Sequence, residues 1–227
     1  MNIVITGCSK GIGAELVKLW SKDHMVYGLS RDGDSLERLK LELDFPSNFN
    51  YLSTDIVSLN PEKISSWIKV ETIDILVNNA GFLINKPFED ISYEDYKSVM
   101  DTNFWGAFSI TQLLVKKLSH AKGQVINISS MGGVNFSSKF SGLSLYSSSK
   151  GALTTLTECL AEELKPYNIR VNTLALGAVQ TEMLEEAFPE YKAEISSAQM
   201  ASFIIRFAKS VNNILNGQII RATSSNP

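Results

Sequence analysis

Cysteine and histidine are scarce in this chain, with two of each among 227 residues. Cys8 and Cys159 are too few for a disulfide framework, and they lack the spacing of a metal site. His24 and His120 fall among polar residues near the ends of predicted helices, which favours surface positions for both. The sequence therefore indicates neither a disulfide-stapled domain nor a bound metal.

Long apolar runs and long runs of one charge are also missing. No stretch approaches the roughly 18 apolar residues of a membrane-spanning helix, and the first apolar run leads directly into glycines, unlike a signal peptide. The net charge is −3, without the basic stripe that a nucleic-acid surface normally shows. We therefore expect a cytoplasmic protein that binds neither nucleic acid nor membrane.

Apolar residues make up 44% of the chain and charged residues 20%, as in globular proteins with a core. The length suits one α/β domain over 1–227. Short apolar runs alternate with helical patterns, and most are continuous, which is typical of parallel strands buried on both faces. The expected fold is a doubly wound parallel sheet with helices on both faces, in three layers. Its predicted strands are 2–6, 25–30, 50–54, 74–79, 124–129, 169–175 and 217–222.

Several helices have recognisable starts. Asp34 with Glu37 three residues later has the spacing of a capping box. Asn60 precedes a proline, as an N-cap precedes the first helical position. The stretch 92–118 predicts one long helix that starts at its serine and is apolar around much of its circumference, so it is either buried or used in subunit contact.

Three glycines, Gly7, Gly11 and Gly13, fall between the first strand and the first helix. Ligands of such sheets bind at this edge, and the free N–H groups of a helix start form an anion site there. Glycine allows unusual backbone angles and removes bulk from the approach. The spacing favours a turn that holds a pyrophosphate, although a tight connection without a ligand stays open.

Further motifs follow in chain order. TGCSKGIG at 6–13 is followed by NNAG at 78–81, NISS at 127–130 and YSSSK at 146–150. With this set the chain resembles the single-domain short-chain dehydrogenases/reductases over nearly its whole length. The resemblance implies a Rossmann fold and an oxidoreductase that transfers a hydride between a nicotinamide dinucleotide and a carbonyl or alcohol group.

The resemblance assigns four catalytic roles. Tyr146 exchanges a proton with the substrate oxygen, and Ser130 polarises that oxygen. Lys150 holds the nicotinamide ribose, and Asn103 positions water in a proton relay to Lys150. The implied cofactor contacts are Gly7, Ser9, Lys10, Gly11, Ile12, Gly13, Ser30, Arg31, Asp55, Ile56, Asn79, Ala80, Gly81, Tyr146, Lys150, Val179 and Thr181.

Tyr146 and Lys150 are four residues apart and share one face of a helix. Lowering the pKa of a phenol by about 3 units takes roughly 4 kcal/mol, and a cation about 4 Å away at an effective dielectric of about 20 supplies that order of energy. Lys150 is thus an adequate activator. The segment between Ser130 and Tyr146 is longer than the resemblance predicts. Four other serines therefore stay open as substitutes for Ser130: Ser129, Ser137, Ser138 and Ser144.

The second predicted strand ends in Ser30, where an acid would select NAD(H) through the 2′-hydroxyl. Arg31 and Lys10 instead offer two cations to a 2′-phosphate, which favours NADP(H) over NAD(H). The alternative is that both are surface cations, with Asp32 neutralising part of Arg31. Asp55 either bonds the adenine, as the resemblance implies, or caps the segment after the third strand.

The chain departs from the family pattern after the sixth strand. Leu176 stands where a proline is usual, while Thr181 keeps its expected reach to the nicotinamide amide. The segment 177–209 is expected to cover the substrate, and its modest length favours a small or medium carbonyl compound. Four apolar side chains in it either line the site or pack in the core: Met183, Leu184, Phe188 and Tyr191.

The last strand lacks the acid and paired glycines used in tetramers of the family. The long helix 92–118 and the helix after Tyr146 are therefore the expected dimer face of a homodimer or homotetramer. A non-catalytic NADP(H)-binding regulator on the same fold stays the alternative function, although it would tolerate loss of Tyr146 or Lys150, and both are present. Nucleotide-sugar epimerases or dehydratases need a larger C-terminal lobe than this chain provides.

Overall fold

A computed structural model describes residues 1–210 and 214–223. Its strands in chain order are β1 (Asn2–Thr6), β2 (Met25–Ser30), β3 (Phe49–Ser53), β4 (Ile75–Asn78), β5 (Gln124–Ser130), β6 (Arg170–Leu176), β7 (Val179–Gln180), β8 (Ile195–Ser196) and β9 (Ile219–Ala222). Seven of them form one parallel sheet in the order β3-β2-β1-β4-β5-β6-β9, and β7 pairs with β8. The order reverses between β1 and β4, so a crevice is expected beyond their carboxyl ends.

Helices cover both faces of this sheet. They are α1 (Gly11–Trp20), α2 (Gly33–Leu41), α3 (Pro61–Trp67), α4 (Tyr93–Met100), α5 (Gly106–Ala121), α6 (Ser144–Glu163), α7 (Glu182–Ala187) and α8 (Ser197–Ser210). Successive residues of β1 enter opposite cores: Ile3 and Ile5 pack with α1, α2 and α8, whereas Val4 packs with α3 and α5. All three are fully buried, which explains why the strand sequences are continuously apolar.

All seven predicted strands lie in the sheet, and their ends differ from the prediction by at most two residues. The pair β7 and β8 is not predicted, because two-residue strands are too short to show a pattern. The residues after Thr223, part of the segment that lacks the glycine pair, lie outside the described part of the chain. Among the described residues, no helix combines the length and apolarity that crossing a bilayer requires.

One of the two predicted N-caps is correct. Asn60 caps α3 by accepting a hydrogen bond from the backbone of the third helical residue. The prediction for Asp34 is wrong, because α2 begins one residue after Asp32 and Asp34 lies in its first turn. Asp32 has extended backbone and accepts bonds from both the backbone N–H (2.9 Å) and the hydroxyl (2.6 Å) of Ser35. The cap therefore goes to the acid that has two donors within reach.

The predicted long helix begins with Ser92 as its N-cap, in a capping box with Asp95. It is not one uninterrupted α-helix, because a π-helical turn, Asp101–Trp105, joins α4 to α5. The spacing of apolar residues does not reveal such a turn, which adds about one residue to a single turn of the helix. The π turn contains the buried Asn103, and π turns occur frequently at functional sites.

A line of buried polar side chains crosses the sheet below the carboxyl ends of its strands. Asn78 Nδ2 donates to Thr111 Oγ1 on α5 (3.1 Å) and to Asn127 Oδ1 on β5 (2.8 Å). Asn127 Nδ2 donates to Thr157 Oγ1 on α6 (2.8 Å), which lies 2.6 Å from Thr173 Oγ1 on β6. Because buried polar groups are costly when unpaired, this polar line fixes α5 and α6 relative to the sheet.

Asn127→Leu tests this polar line. The substitution removes one buried hydrogen-bond partner from Asn78 and one from Thr157, although Asn78 keeps Thr111 and Thr157 keeps Thr173. The free energy of unfolding should therefore fall by about 2 kcal/mol. Urea denaturation measures the loss. Asn50→Leu is the matched control, since Asn50 is an exposed asparagine on β3 and its replacement should stay within about 0.5 kcal/mol. Equal effects of the two substitutions would contradict the role of the line.

Candidate active site

A cleft of about 580 Å³ lies among the glycine-rich turn, the residues that follow β2, β3, β4 and β5, and the starts of α6 and α7. Most of the predicted site residues line it: Gly7, Ser9, Lys10, Gly11, Ile12, Ser30, Arg31, Asp55, Ile56, Asn79, Ala80, Gly81, Ser130, Tyr146, Lys150, Val179 and Thr181. Gly13 and Asn103 are not part of the lining; Gly13 packs against the backbone of Gly7, and Asn103 bonds Phe82 and Ser149. No cluster of three or more metal-ligating side chains occurs within 1–210 and 214–223.

Two glycines of the turn are required by close approaches. Gly7 has φ +66°, and a Cβ there would lie 2.6 Å from the Cα of Ala80. A Cβ at Gly13 would lie 2.3 Å from the carbonyl oxygen of Gly7. Any side chain at either position would force the backbone apart. The turn is therefore packed against the end of β4 and against the first turn of α1.

The first turn of α1 is open to an anion. Its N-cap, Lys10, has extended backbone and makes no side-chain hydrogen bond to the helix N–H groups. Those N–H groups carry the positive end of the helix dipole. An uncapped helix start beside a glycine turn is suited to a phosphate group, so the residues present fit the diphosphate of a dinucleotide.

Hydrogen bonds hold the ends of β1 and β4 together beneath this turn. Asn79 Nδ2 donates to the carbonyl oxygens of Thr6 (3.1 Å) and Gly7 (2.8 Å). The hydroxyl oxygen of Thr6 accepts from the backbone N–H groups of Asn79 (3.1 Å) and Ala80 (3.0 Å). Asn79 thus acts on the glycine turn as well as lining the cleft.

Tyr146 and Lys150 lie one turn apart on α6 and both line the cleft. Lys150 Nζ donates to the carbonyl oxygen of Ile128 (2.9 Å) and lies 5.9 Å from the centre of the Tyr146 ring. Ser130 Oγ accepts from the backbone N–H of Gly132 (3.1 Å), which leaves its proton to be donated elsewhere. Ser130, Tyr146 and Lys150 therefore share one part of the cleft.

Ser130 is better placed than the other serines. Ser129 donates to the backbone carbonyl of Lys150 (3.0 Å), and Ser137 donates to carbonyls of its own loop. Ser138 and Ser144 are exposed and do not line the cleft. The Ser130 hydroxyl also hydrogen-bonds Tyr146 and acts against the rise in the pKa of that tyrosine.

The pKa values of the pair differ from the sequence-based expectation. Desolvation raises the pKa of Tyr146 to about 12, although part of its side chain stays open to the cleft. Burial lowers the pKa of Lys150 to about 8. Burial is the main influence on the Tyr146 phenol, while Lys150 Nζ lies over the ring and donates to the Ile128 carbonyl. With the protein groups alone, both side chains are shifted towards their neutral forms.

Three hydrogen bonds join Asn103 to protein groups. Its Oδ1 accepts from the backbone N–H of Phe82 (2.7 Å), and its Nδ2 donates to the Phe82 carbonyl (2.9 Å) and to Ser149 Oγ (2.8 Å). Ser149 in turn donates to the backbone carbonyl of Tyr146 (2.7 Å). The side chain of Asn103 thus positions the loop after β4 against α6. The sequence does not indicate the part that Ser149 takes, because buried serines are common in helices.

At the end of β2, Ser30 Oγ donates to Ser9 Oγ (2.9 Å), which links β2 to the glycine turn. Arg31 is exposed beside this link, and Asp32 bonds Ser35 rather than neutralising Arg31. Lys10 forms an exposed ion pair with Glu186 of α7 (3.2 Å). The side chains of Lys10 and Glu186 are both more than half exposed, so this ion pair contributes little to the stability of the protein.

The remaining predicted positions divide between cleft and core. Asp55 lines the cleft and also caps the turn after β3, accepting from the backbone N–H of Val57 (3.0 Å). Thr181 lines the cleft and caps α7. The four apolar side chains whose role was open all line the cleft: Met183, Leu184, Phe188 and Tyr191. Within 177–209 this lining ends at Tyr191, whereas α8 packs into the core against α1.

Replacing Lys150 should stabilise the folded protein. Its pKa falls from 10.5 in the unfolded chain to about 8, so below pH 8 folding buries an ammonium at a cost of about 3 kcal/mol. Between pH 8 and 10.5 the folded state loses that proton first, and the cost disappears as the pH rises. Lys150→Met should therefore exceed the wild type in stability at pH 7, with the gap closing by about pH 10.

Urea denaturation of the protein alone at pH 7, 8, 9 and 10 measures this gap. Lys69→Met, at an exposed lysine before β4, is the matched control and should show no such change with pH. A wild type more stable than Lys150→Met at pH 7, with a parallel pH dependence, would show that burial of Lys150 carries no such cost.

Comparison with known proteins agrees with this geometry. The short chain dehydrogenase family model matches residues 1–192. The short-chain dehydrogenase cctT of Talaromyces islandicus is 34% identical over 191 residues, 79% of this chain and 63% of that relative, so the chain spans less than two thirds of its length. A 3-oxoacyl-[acyl-carrier-protein] reductase of Aquifex aeolicus is 29% identical over 234 residues, covering 96% of this chain and 93% of the relative.

Similar proteins of known structure have been solved with NADP in one case and with NADH in another. ElxO with NADP bound is 26% identical, with a TM-score of 0.83 and coverage of 98% of this chain and 96% of that one. A 4-hydroxyisoleucine dehydrogenase mutant complexed with NADH and succinate is 25% identical, with a TM-score of 0.85 and coverage of 100% and 98%. The family match covers most of the chain and agrees with its strand order, its glycine turn and its cleft. This chain belongs to the short-chain dehydrogenase/reductase family of oxidoreductases.

Proposed function

We propose that this protein is an NADP(H)-dependent oxidoreductase that reduces a small or medium carbonyl compound, or oxidises the corresponding alcohol. The observation that carries the proposal is that Tyr146, Ser130 and Lys150 line the same cleft as the uncapped start of α1. A dinucleotide held at α1 and a substrate at Tyr146 would therefore meet in one enclosed space.

The residues of the cleft suit a dinucleotide along its length. The N–H groups at the start of α1 suit the diphosphate, Asp55 suits the adenine, and Lys150 suits the nicotinamide ribose. When bound, the nicotinamide donates or accepts the hydride. The protein itself supplies orientation, a proton and the charges that stabilise the reacting oxygen.

The preference for NADP(H) over NAD(H) rests on charge at the end of β2. No acid ends that strand, and Arg31 is exposed at its tip without an ion-pair partner among the described residues. Lys10 has only a weak exposed pair with Glu186, so a 2′-phosphate can replace that partner. The hydroxyls of Ser9 and Ser30 add hydrogen-bond donors beside these cations.

The protein's own chemistry suits proton donation. Desolvation keeps Tyr146 protonated at neutral pH, so its hydroxyl can give a proton to the oxygen of a carbonyl whose carbon receives the hydride. The Ser130 hydroxyl bonds Tyr146 in the protein alone, and it can turn its one proton to that oxygen as a second hydrogen-bond donor. Alcohol oxidation would first require loss of the Tyr146 proton.

The same proposal includes self-association through α5 and α6. Leu153 and Leu156 of α6 pack with Ala107 and Phe108 of α5, and Trp105 stacks on Phe108 while remaining 45% exposed. Aromatic side chains of this kind favour contact with a second copy. The expected assembly is a homodimer or homotetramer built on this face.

Tyr146→Phe tests the assigned proton donor. The variant keeps the ring but not the hydroxyl, so carbonyl reduction should fall by about 10²- to 10⁴-fold while NADPH binding is unchanged. NADPH consumption and NADPH-induced thermal shift measure the two effects. Tyr167→Phe, at an exposed tyrosine after α6, is the matched control. Turnover retained by Tyr146→Phe would transfer the role to another residue, whereas cofactor binding by a wild type without turnover would favour the non-catalytic regulator.

Arg31→Asp tests the cofactor preference. Removing a cation and adding an acid should lower the ratio of kcat/KM for NADPH to that for NADH by about 10- to 100-fold, the equivalent of about 1.5–3 kcal/mol. Arg206→Asp is the matched control, because it makes the same charge change on α8. The carbonyl of nearby Ala208 accepts from Gln124 at the amino end of β5, away from the cleft at the carboxyl ends of the strands. If both variants keep the wild-type ratio, Arg31 does not recognise the 2′-phosphate.

A further inference from the structure

The cleft is divided in charge. The charged side chains among its described lining residues are Lys10, Arg31, Asp55, Lys150 and Glu182. The first three follow β1, β2 and β3, where the dinucleotide is proposed to lie. Glu182 faces the glycine turn, since its Oε2 would be 3.4 Å from a Cβ at Gly11. Lys150 thus marks the boundary between this charged part and the rest of the cleft.

Beyond Lys150 the lining is uncharged and mainly apolar. A Cβ at Gly81 would lie 3.4 Å from Lys150 Nζ and 3.8 Å from Met183 Cε, so the apolar wall begins directly beside the lysine. The wall is built by side chains from three segments, namely Leu83, Phe140, Leu143, Met183, Leu184 and Phe188. A group that lies against this wall gains by burying apolar surface and would lose by burying a charge.

Three segments supply this wall: the loop after β4, the loop before α6, and α7 with the residues that follow it. Backbone and amide hydrogen bonds join them, and we call their outer residues the rim of the cleft. The backbone N–H of Lys86 donates to the carbonyl of Gly142 (3.0 Å), joining the loop after β4 to the loop before α6. Asn85 Nδ2 donates to the carbonyl of Ala187 (2.9 Å), joining the same loop to the end of α7. The three segments that supply the apolar wall are therefore held to one another.

Acidic residues dominate the α7 side of this rim. The stretch 182–194 carries five glutamates and one lysine, Lys192. Glu182 faces the glycine turn and Glu186 pairs with Lys10, which leaves the other three glutamates for this rim. Of two lysines in the other segments, Lys86 pairs with Asp95 (2.7 Å). Lys139 donates to two carbonyls and a hydroxyl within its own loop and keeps its positive charge, so the glutamates still outnumber the unpaired lysines. An anionic group at this rim would meet net negative charge.

We propose that the substrate is a free, uncharged, apolar ketone or aldehyde, and that the acidic rim disfavours the same acyl group when coenzyme A carries it as a thioester. This inference rests on the proposed function. The carbonyl carbon receives the hydride of NADPH and its oxygen receives the Tyr146 proton, which gives an alcohol and NADP⁺. The phosphates of coenzyme A would extend from the wall past the rim and be repelled there.

A matched pair of substrates tests the proposal. Ethyl 3-oxohexanoate and 3-oxohexanoyl-coenzyme A share one acyl chain and differ in the attached group. In the first this group is an uncharged ethyl ester, and in the second it is an anionic coenzyme A thioester. With the wild type at low ionic strength, kcat/KM for the ester should exceed that for the thioester by about tenfold or more. The difference should narrow at about 0.15 M salt, where the screening length falls to about 8 Å.

A charge-reversal variant locates the effect at the rim. Glu190 and Glu194 are exposed in the stretch after α7, so Glu190→Lys/Glu194→Lys should raise kcat/KM for the thioester several-fold and leave that for the ester unchanged. Asp23→Lys/Glu71→Lys makes the same change in net charge next to β2 and β4, at their amino ends on the opposite edge of the sheet. This control should alter neither value.

The outcomes separate this inference from the proposed function. Equal or faster turnover of the thioester by the wild type would overturn the inference and leave the reductase assignment standing. Equal gains from the two double variants would show that net charge, not the rim, controls selection, and would also overturn it. Absence of NADPH-dependent turnover with both substrates and with a panel of apolar ketones and aldehydes would overturn both proposals.

Discussion

The approach of β1 to β4 at their carboxyl ends is the constraint on which the site depends. The chain leaves β1 towards one face of the sheet and β4 towards the other, so the crevice between them would widen without a direct link. Thr6 and Asn79 provide that link with four hydrogen bonds. Gly7 allows it, because any side chain there would meet the backbone of Ala80. With the turn held in this way, α1 starts at the edge of the crevice with its N–H groups uncapped.

A second set of hydrogen bonds fixes the substrate side against the same sheet. Asn103 holds the backbone of Phe82 on both sides and passes through Ser149 to the carbonyl of Tyr146. The loop that carries Leu83 and the helix that carries the proposed proton donor are therefore positioned by one buried amide. The π turn contains Asn103, whereas the buried contacts of α5 beyond it are mainly apolar, apart from Thr111. Both sides of the cleft thus rest on buried polar groups whose loss would leave donors unpaired.

The sheet and the site motifs were predictable because they depend on local chemistry. A strand buried on both faces must be apolar at successive residues, as Ile3 and Val4 show, and a phosphate-binding turn must lack side chains at fixed positions. The cap of α2 was not predictable, since the capping-box spacing to Glu37 points to Asp34, whereas the extended backbone belongs to Asp32, whose bonds go to Ser35. The ion pair of Lys10 with Glu186 spans most of the chain and leaves no local signal. The pKa of Tyr146 depends on burial and on where the ammonium of Lys150 points, neither of which follows from their spacing.

The parts of the cleft differ in charge around a buried centre. Burial lowers the pKa of Lys150 to about 8, so most Lys150 side chains still carry the proton at pH 7, whereas desolvation keeps the Tyr146 phenol neutral. The centre therefore carries one buried cation, with the exposed cations near Arg31 towards one end of the cleft and the glutamates after α7 towards the other. Under the proposed function, a phosphate group would be favoured at the end near Arg31 and disfavoured at the acidic end. An apolar wall between the two then selects the substrate by the surface that it buries rather than by its charge.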